Sequence, residues 1–304
     1  MMAVYDSILE CIGETPIVRL RKVVPPESKL YVKIERGNPG GSVKDRAAAS
    51  MIADAEARGL LGEGGVIVEP TSGNTGIALC MAAAAKGYRT VIVIPDTMSE
   101  ERMAYMRAYG AEIVLTPGAE GMKGAVDKAK EIAVETGAFL PGQFDNLANT
   151  AAHRVGTGRE ILRDLPGVDY VFSGIGTGAT ATGIARAFAD AGSDARVIGV
   201  EPAESPLLTE GKTGAHGIQG IGANFVPGCL DGSIISKVVR VPTSEAERMA
   251  VRLAREEGIF AGISSGAAVA AMVEFNKANK GKTLLAILPD GGEKYLSTGI
   301  YGRY

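Results

Sequence analysis

The sequence contains one lysine at a position where its positive charge is unfavourable. A polar cluster, residues 38–46, separates an apolar run from an alanine-rich stretch, so Lys44 falls in the first turn of a predicted helix. That end of a helix already carries partial positive charge. The ammonium is therefore either solvated and paired with Asp45, or held close to neutrality by cationic surroundings and desolvation. In the second case the Lys44 amine is a nucleophile suited to Schiff-base chemistry.

Three loops rich in small and hydroxyl residues each lead into a predicted helix. The first loop is 71–76 (TSGNTG), the second loop is 174–180 (GIGTGAT) and the third loop is 262–266 (GISSG). Small residues let backbone N–H groups approach a ligand, and the start of a helix presents unpaired donors at its positive end. For any one of these loops, a helix cap with tight packing is as good an explanation as anion binding. Three in one chain favour anion binding.

The second loop also fits a dinucleotide-binding fingerprint. Residues 176–181 have the spacing G-x-G-x-x-A, and Glu201 ends the next predicted strand about twenty residues later. This combination is typical of an NAD site, in which the helix start binds the pyrophosphate. Thr177 and Thr180 could instead hydrogen-bond a single phosphate group directly. An NAD-dependent oxidoreductase therefore stays as an alternative that the sequence favours less.

The elements that must position these residues form an alternating pattern along the chain. Predicted strands lie near 30–35, 66–69, 90–94, 113–115, 170–172, 197–200, 238–241 and 284–288, and predicted helices include 74–85, 99–109, 121–136, 178–191 and 244–258. Nearly continuous apolar strands that alternate with helices predict parallel strands covered on both faces. The fold class is therefore α/β with a doubly wound parallel sheet, which binds ligands beyond the carboxyl ends of its strands.

Composition excludes several classes of protein. The 304 residues are 46% hydrophobic and 22% charged, which is ordinary globular usage. The net charge of −3 indicates neither a nucleic acid nor an anionic membrane as a partner. No uninterrupted apolar stretch reaches the roughly 18 residues of a membrane span. The amino-terminal residues carry acids and show no signal-peptide pattern.

The cysteines and histidines do not predict a metal site. The 3 cysteines are far apart and form no C-x-x-C pair, which suits a reducing cytosol and gives neither a disulfide framework nor a zinc site. The 2 histidines, His153 and His216, lack the spacing of metal ligands. We expect each of them on a helix face or at the surface. No metal is therefore predicted.

Several motifs together resemble those of one enzyme family. They are 42–46 (SVKDR), 69–78 (EPTSGNTGIA), 218–223 (IQGIGA), 262–267 (GISSGA) and 292–298 (GEKYLST). These motifs resemble the cysteine synthases, or O-acetylserine sulfhydrylases, of the β-family (fold type II) of pyridoxal-phosphate enzymes. The resemblance runs almost end to end. It implies two doubly wound parallel-sheet domains of the tryptophan-synthase-β-like type, with the cofactor in the cleft between them: a smaller domain, 40–148, and a larger domain, 1–39 with 149–304.

The same resemblance assigns roles to individual residues. It implies that Lys44 holds pyridoxal 5′-phosphate covalently and acts as the catalytic base. The remaining roles fall to the three loops and one glutamine: Gly176, Thr177, Gly178, Ala179 and Thr180 bind the phosphate, Asn74 the phenolic oxygen, Ser264 the pyridine nitrogen, and Thr71, Ser72, Gly73, Asn74, Thr75 and Gln143 the substrate carboxylate. The first loop is expected to close over the substrate.

The activity that the resemblance implies is a β-replacement. L-Cysteine would form from O-acetyl-L-serine and sulfide, with acetate leaving before the second substrate binds. A cytoplasmic homodimer that binds the carboxyl-terminal peptide of a serine acetyltransferase is the expected assembly. Alternatives are cystathionine or lanthionine formation from serine or cysteine and, in another class, a scaffold that only binds a peptide.

Two departures from the family pattern bear on these expectations. Ala179 replaces a usual glycine in the second loop, which is tolerated if its φ is negative and otherwise costs on the order of 1 kcal/mol. Asp290 stands where many relatives carry serine, near the expected ring end of the cofactor. In this respect the chain resembles the thiosulfate-using branch, whereas 218–223 resembles the sulfide-using branch. The identity of the nucleophile therefore stays open between sulfide, thiosulfate and another thiol.

Overall fold

A computed structural model describes residues 4–97 and 100–304 of the chain. The chain divides into two compact units. The first unit comprises the residues up to Ile12 and Lys44–Asn149, and the second comprises Gly13–Val43 and Thr150–Tyr304. The division into domains 40–148 and 1–39 with 149–304 stays a prediction. Ser99, which the sequence predicts at the start of a helix, lies outside the described residues, as does Met98.

Strands and helices alternate through most of the chain. The strands are β1 (Ile17–Arg19), β2 (Lys29–Ile34), β3 (Val66–Pro70), β4 (Arg89–Pro95), β5 (Glu112–Thr116), β6 (Tyr170–Gly174), β7 (Arg196–Pro202), β8 (Lys237–Val241) and β9 (Thr283–Leu288). The α-helices are α1 (Lys44–Ala57), α2 (Asn74–Lys86), α3 (Glu100–Ala108), α4 (Gly121–Thr136), α5 (Leu147–Ala152), α6 (Gly158–Asp164), α7 (Ala179–Asp190), α8 (Leu207–Glu210), α9 (Thr243–Arg252), α10 (Ile263–Ala278) and α11 (Ile300–Arg303). Two π-helical turns, His153–Thr157 and Leu253–Glu257, follow α5 and α9.

The first unit is built on a parallel sheet in the order β3-β4-β5. Alternate residues of its central strand enter different cores. Ile92 and Ile94 pack in a cluster with α2 and α3. Val91 and Val93 pack on the other face, against Ala125 of α4. This alternation is what a strand with helices on both faces requires, because successive side chains point to opposite sides of the sheet.

The second unit contains a six-stranded sheet in the order β1-β2-β9-β6-β7-β8. All pairs are parallel except β1 with β2, which is antiparallel. Ala286 in the central strand β9 packs in the core formed with α9 and α10. Its neighbours Leu285 and Ile287 pack in the opposite core with α6 and α7. The predicted α/β class with doubly wound parallel strands is therefore confirmed.

Two local features differ from the sequence prediction. The short strand β1 was not predicted, because only three residues, Ile17–Arg19, pair with β2 at the edge of the sheet. The predicted helix 244–258 is α9 continued by the π-helical turn Leu253–Glu257, and it ends where Gly258 adopts a left-handed conformation with φ of 71°. Glycine enters this conformation without the steric penalty of a β-carbon.

Candidate active site

Lys44 follows a segment that is tied to the end of strand β9. Ser42 forms an antiparallel bridge with Asp290, and the Val43 backbone N–H donates to the Pro289 carbonyl at 2.8 Å. Both bonds lie within the second unit. Lys44 itself is the first residue of α1, as the sequence predicts, and is half-buried. The backbone immediately before the candidate nucleophile is therefore fixed by sheet-like pairing.

A buried polar network fixes the residues that precede this segment. The Glu35 carboxylate accepts from the Thr15 hydroxyl at 2.6 Å and from the Asn38 side-chain amide at 2.9 Å. The Lys294 ammonium donates to the carbonyls of Gly40 and Gly41 at 3.3 and 3.2 Å. A buried carboxylate is tolerated where its oxygens accept hydrogen bonds in this way. The asparagine and glycines of the polar cluster therefore serve to shape the backbone.

The first loop joins β3 to α2 within the first unit. Its beginning is anchored by the Thr71 backbone N–H, which donates to the Val93 carbonyl of β4 at 3.2 Å. The Arg102 guanidinium of α3 donates to the Ser72 carbonyl at 3.2 Å. Gly73 is the N-cap of α2, and no side chain caps the helix there. Asn74 and Thr75 therefore occupy the first turn of a 13-residue helix, where a carboxylate is favoured.

Gln143 joins the first loop from a position 68 residues away. The Thr75 hydroxyl donates to Gln143 Oε1 at 2.6 Å, and both side chains are buried. The Asn149 side-chain amide donates to the Gln143 carbonyl at 2.9 Å, which fixes the glutamine backbone. Because Oε1 accepts from Thr75, Nε2 is oriented as a donor. The structure thus brings together the predicted substrate-binding residues 71–75 and Gln143.

Glu69 supports the same arrangement and was not predicted to have a role. It ends the apolar part of β3, is 2% exposed, and accepts from the Gly142 backbone N–H at 3.1 Å. Burial raises the pKa of the Glu69 carboxyl to about 7, although hydrogen bonds from the backbone of Gly142 and Gln143 lower it. An acid at the carboxyl end of a β-branched run, directly before the first loop, is the sequence signal that could have indicated it.

The second loop presents an unsatisfied set of donors in the second unit. Within the part of the chain that the structure describes, no acceptor is found for the backbone N–H groups of Gly176, Gly178 and Thr180. These groups stand at the start of the 12-residue helix α7. Gly178 is buried and has a φ of 78°. Such N–H groups at a helix start are suited to a phosphate.

Glycine is required at two positions of the second loop for steric reasons. A β-carbon on Gly176 would overlap the Gly220 carbonyl oxygen, and one on Gly178 would lie 2.5 Å from the β-carbon of Leu230. Ala179 is the first helical residue of α7 and is not among the residues with positive φ. Its methyl group therefore causes no backbone strain at this departure from the family pattern.

Ser264 lies in the first turn of α10, the helix that follows the third loop. Ser264 and Ser265 are 3% and 0% exposed, and the Ser265 hydroxyl has no hydrogen-bond partner among residues 4–97 and 100–304. Gly220, which contacts Gly176, also approaches the Ser264 hydroxyl: a β-carbon on Gly220 would lie 4.0 Å from Oγ. The second unit therefore brings Ser264 and the second loop to the same region.

Asp290 lies beside the start of the same helix. Its side chain is 2% exposed and accepts from the Tyr295 hydroxyl at 2.6 Å. A β-carbon on Gly262, the N-cap of α10, would overlap the Asp290 carboxylate. The aspartate is therefore accommodated by glycine at the third loop, and its carboxylate lies at the positive end of a 16-residue helix.

The two histidines differ in environment. His153 lies in the π-helical turn after α5, which agrees with the first of the two expected positions, a helix face; at 1% exposure it is in the interior and not at the surface. His216 is half-buried in a loop and contacts the Gly222 carbonyl through Nε2 at 3.1 Å. The i, i+4 pair of His153 with Thr157 is the sequence signal that could have indicated a buried polar contact.

In the described part of the chain, the other reactive side chains do not form a second catalytic or metal-binding site. Burial raises the pKa of the Cys80 thiol to about 12, so it is protonated at neutral pH. Among the described residues, no group of three or more histidine, cysteine and acidic side chains could hold a metal ion. A search of the same residues for a helix of the length and apolarity needed to span a membrane finds none.

Comparisons with known proteins agree with one another. The profile of the family described as pyridoxal-phosphate dependent enzyme matches residues 8–290. A cysteine synthase of Staphylococcus aureus is 48% identical over 300 residues, which cover 97% of this chain and 97% of the relative. An O-ureido-L-serine synthase of Streptomyces lavendulae is 50% identical over 303 residues, which cover 99% and 94%. The crystal structure of a cysteine synthase from Entamoeba histolytica has a TM-score of 0.96 at 41% identity, covering 99% of this chain and 92% of that one.

Proposed function

The chain belongs to the family of pyridoxal-phosphate-dependent enzymes, and on that premise we propose that it makes L-cysteine from O-acetyl-L-serine and sulfide, releasing acetate. The observation that carries the proposal is the donor set at the start of α2. There the first loop and Gln143 form a site for the carboxylate of an amino acid, anchored by the 2.6 Å bond from Thr75. The extent of identity to a cysteine synthase supports the same activity.

The residues of the chain fit pyridoxal 5′-phosphate. The N–H groups of the second loop, which have no acceptor among the described residues, suit the phosphate. The hydroxyl of the buried residue Ser264 suits a pyridine nitrogen that accepts or shares a hydrogen bond. Asn74 would bind the phenolic oxygen, and the Lys44 amine would hold the cofactor covalently. Gly176, Thr177, Gly178, Ala179 and Thr180 would surround the phosphate.

The mechanism assigns each step to a group of this chain. When bound, the cofactor supplies an electron sink that stabilises negative charge at the substrate Cα. The α2 helix start, Thr75 and Gln143 hold the substrate carboxylate, which fixes the direction of the Cα–H bond. The Lys44 Nζ, once it is a free amine, takes the Cα proton as general base. The β-acetoxy group leaves as acetate, and sulfide then adds to the β-carbon, so the kinetics are ping-pong.

The experiment that tests this function compares donors and nucleophiles on the purified holoenzyme. O-Acetylserine with sulfide is expected to give cysteine and acetate in equal amounts, with parallel lines in a double-reciprocal analysis of initial rates. Serine, cysteine and O-phosphoserine serve as alternative donors. Faster turnover of serine or cysteine with homocysteine would assign the chain to cystathionine or lanthionine formation instead. Absence of any β-replacement would contradict the proposal.

A second candidate function follows from the comparisons with known proteins. The O-ureido-L-serine synthase is as similar to this chain as the cysteine synthase, at 50% against 48% identity. A β-replacement that yields O-ureido-L-serine requires hydroxyurea as the oxygen nucleophile. The same assay with hydroxyurea, thiosulfate and sulfide in competition therefore identifies the physiological class of nucleophile, because the carboxylate site and the Lys44 base serve all three.

We also propose the assembly and cellular setting. A cytoplasmic homodimer is supported by the resemblance to cysteine synthases, and a reducing cytoplasm suits Cys11 and Cys80, which form no disulfide in the structure. The carboxyl-terminal peptide of a serine acetyltransferase is the proposed protein partner. Closure of the first loop would exclude water during the reaction.

Loss of the Thr75 hydroxyl is expected to weaken substrate binding. In Thr75→Val the buried Gln143 amide loses a 2.6 Å hydrogen bond while the side-chain volume is kept. Losing such a bond costs about 1–2 kcal/mol, so KM for the amino-acid donor rises roughly tenfold. Steady-state kinetics measure the effect, and Thr75→Ser, which keeps the hydroxyl, is the control. An unchanged KM in Thr75→Val would remove Gln143 from the carboxylate site.

A further inference from the structure

Glu69 is a buried carboxyl group that the proposed mechanism does not use. It lies in β3 at 2% exposure, and its Oε2 accepts from the Gly142 backbone N–H at 3.1 Å. The Gln143 backbone N–H also donates to this carboxyl group. We propose that Glu69 is a positioning residue that holds the Gln143 side chain in the site for the substrate carboxylate. The inference rests on the proposed function and deepens it.

The Glu69 side chain takes over where backbone pairing beside β3 ends. Phe139 pairs with this strand through two backbone hydrogen bonds of 2.8 and 2.9 Å. Pro141 has no N–H to continue the pairing, and Gly142 turns the chain with a φ of 63°. The Gly142 N–H then donates to the Glu69 side chain rather than to a main-chain carbonyl of β3. A side-chain acceptor at position 69 therefore fixes a turn that the sheet itself does not reach.

Hydrogen bonds and the chain itself close a ring around the predicted carboxylate site. Glu69 is followed by Pro70 and the first loop, so its backbone fixes where that loop begins. At the other end of the loop, the Thr75 hydroxyl donates to Gln143 Oε1 at 2.6 Å. Three bonds thus fix Gln143: one at its side chain, one at its carbonyl from Asn149 at 2.9 Å, and one from its N–H to Glu69. One buried carboxyl group therefore connects the first loop with the glutamine.

A glutamine that is already fixed binds substrate better than one that must be ordered on binding. Ordering a long polar side chain costs free energy, so the affinity is higher when the protein has met this cost beforehand. Without an acceptor at position 69 the Gly142 N–H loses its partner, and the turn that carries Gln143 can shift toward water. The predicted consequence is a lower affinity for the amino-acid substrate, while the proton transfer at Lys44 is unchanged.

Two substitutions of similar length separate the hydrogen bonds from the shape of the side chain. Glu69→Gln keeps a carbonyl oxygen that accepts from the Gly142 N–H, whereas Glu69→Met keeps the length and removes the acceptor. Val68→Ala is the matched control, because it loosens the buried interior of the same strand and leaves residue 69 in place. Steady-state kinetics of each purified holoenzyme give kcat, KM for O-acetylserine and KM for sulfide.

The expected result is a rise in KM for the amino-acid donor alone. In Glu69→Met the KM for O-acetylserine rises roughly tenfold, while kcat and the KM for sulfide stay within about twofold. Glu69→Gln and Val68→Ala stay within about twofold of wild type in all three constants. Partly unfolded enzyme loses kcat but keeps its KM, so a fall in kcat alone in Glu69→Met would show a merely structural role and overturn the inference. An equal rise in KM in Val68→Ala would do the same.

A double-mutant cycle tests whether Glu69 acts through Gln143. In Gln143→Ala the side chain that Glu69 positions is absent. Adding Glu69→Met to this variant is therefore expected to change the KM for O-acetylserine by less than about twofold. A further rise of roughly tenfold would show that the two residues act independently, and the positioning role would be wrong.

Hydrogen exchange gives a readout that does not depend on turnover. Peptides that cover residues 140–146 of the apoenzyme are followed by mass spectrometry. The amides of this turn are expected to exchange roughly tenfold faster in Glu69→Met than in wild type or Glu69→Gln. Equal exchange in the three proteins would contradict the inference. Wild-type holoenzyme that turns over no amino-acid donor would instead contradict the proposed function, and it would leave the exchange result as it is.

A shorter carboxylate keeps the test decisive if methionine is not tolerated at position 69. Glu69→Asp keeps the acid and withdraws its oxygens from the Gly142 N–H by one methylene group. We expect the KM for O-acetylserine and the exchange rate of residues 140–146 both to rise several-fold, with Glu69→Gln again near wild type. Wild-type behaviour of Glu69→Asp in both measurements would refute the proposed role.

Discussion

Lys44→Ala is expected to lose at least about a thousandfold in kcat for β-replacement. Removal of a general base alone costs roughly a hundredfold to ten-thousandfold, and this amine is proposed also to hold the cofactor covalently. The purified holoprotein is assayed with O-acetylserine and sulfide. Borohydride reduction followed by peptide mass spectrometry is expected to place the cofactor on Lys44 in the wild type.

Two variants separate the chemistry of the amine from its charge. Lys44→Arg keeps a cation at the start of α1 but provides a guanidinium that does not release its proton at neutral pH, so it is expected to be as inactive as Lys44→Ala. Lys212→Ala removes a lysine that is exposed at the surface and is expected to retain full activity. Substantial turnover in Lys44→Arg, or reduction of the cofactor onto another lysine, would refute the assignment.

Glu69→Gln is expected to remove a large pH dependence of stability. The pKa of Glu69 is raised by burial from 4.5 to about 7 in the folded protein. Below about pH 4 the group is protonated in both states and has no effect. Between about pH 4.5 and 7 the unfolded chain releases the proton while the folded protein keeps it, so stability falls as pH rises. The shift corresponds to about 3 kcal/mol of unfolding free energy.

Urea denaturation at about pH 4 and about pH 8 measures this difference. Relative to wild type, Glu69→Gln should be about 3 kcal/mol more stable at the higher pH than at the lower pH, because glutamine does not ionise. Glu56→Gln is the control, because its effect on stability is expected to change with pH in the opposite direction. Hydrogen bonds from Lys86 and Tyr88 lower the pKa of Glu56, so its ionised form stabilises the folded protein and the substitution lowers stability as pH rises. The same dependence of unfolding free energy on pH in Glu69→Gln and wild type would contradict the assignment of Glu69 as a buried acid with a raised pKa.

The prediction of the fold from sequence succeeded where strands are buried on both faces. Val91, Ile92, Val93 and Ile94 form a continuous apolar run, and the structure distributes them alternately between two cores. Such a run is long enough to identify without knowledge of its neighbours. By contrast, β1 contains three residues, and the burial pattern of its edge position is weak. The strand exists because β2 offers a free edge, and this information is not local.

The sequence indicates the loops of the candidate site more clearly than the residues that support them. The spacing of the second loop and the position of Lys44 are visible along the chain, whereas Gln143 entered through resemblance alone. Its bond to Thr75 spans 68 residues, so no local pattern contains it. The contact of Glu69 with Gly142 has the same character, because it spans 73 residues.

The position of β9 in the second sheet has a consequence for biosynthesis. This strand, Thr283–Leu288, lies between β2 and β6, although it is the last strand to be translated. Until β9 has been translated and released from the ribosome, β2 and β6 have no common neighbour and expose unpaired strand edges. Such edges favour misassembly in the nascent chain. We therefore expect premature termination upstream of β9 to yield aggregation-prone fragments, and chaperones to act chiefly on the nascent second unit.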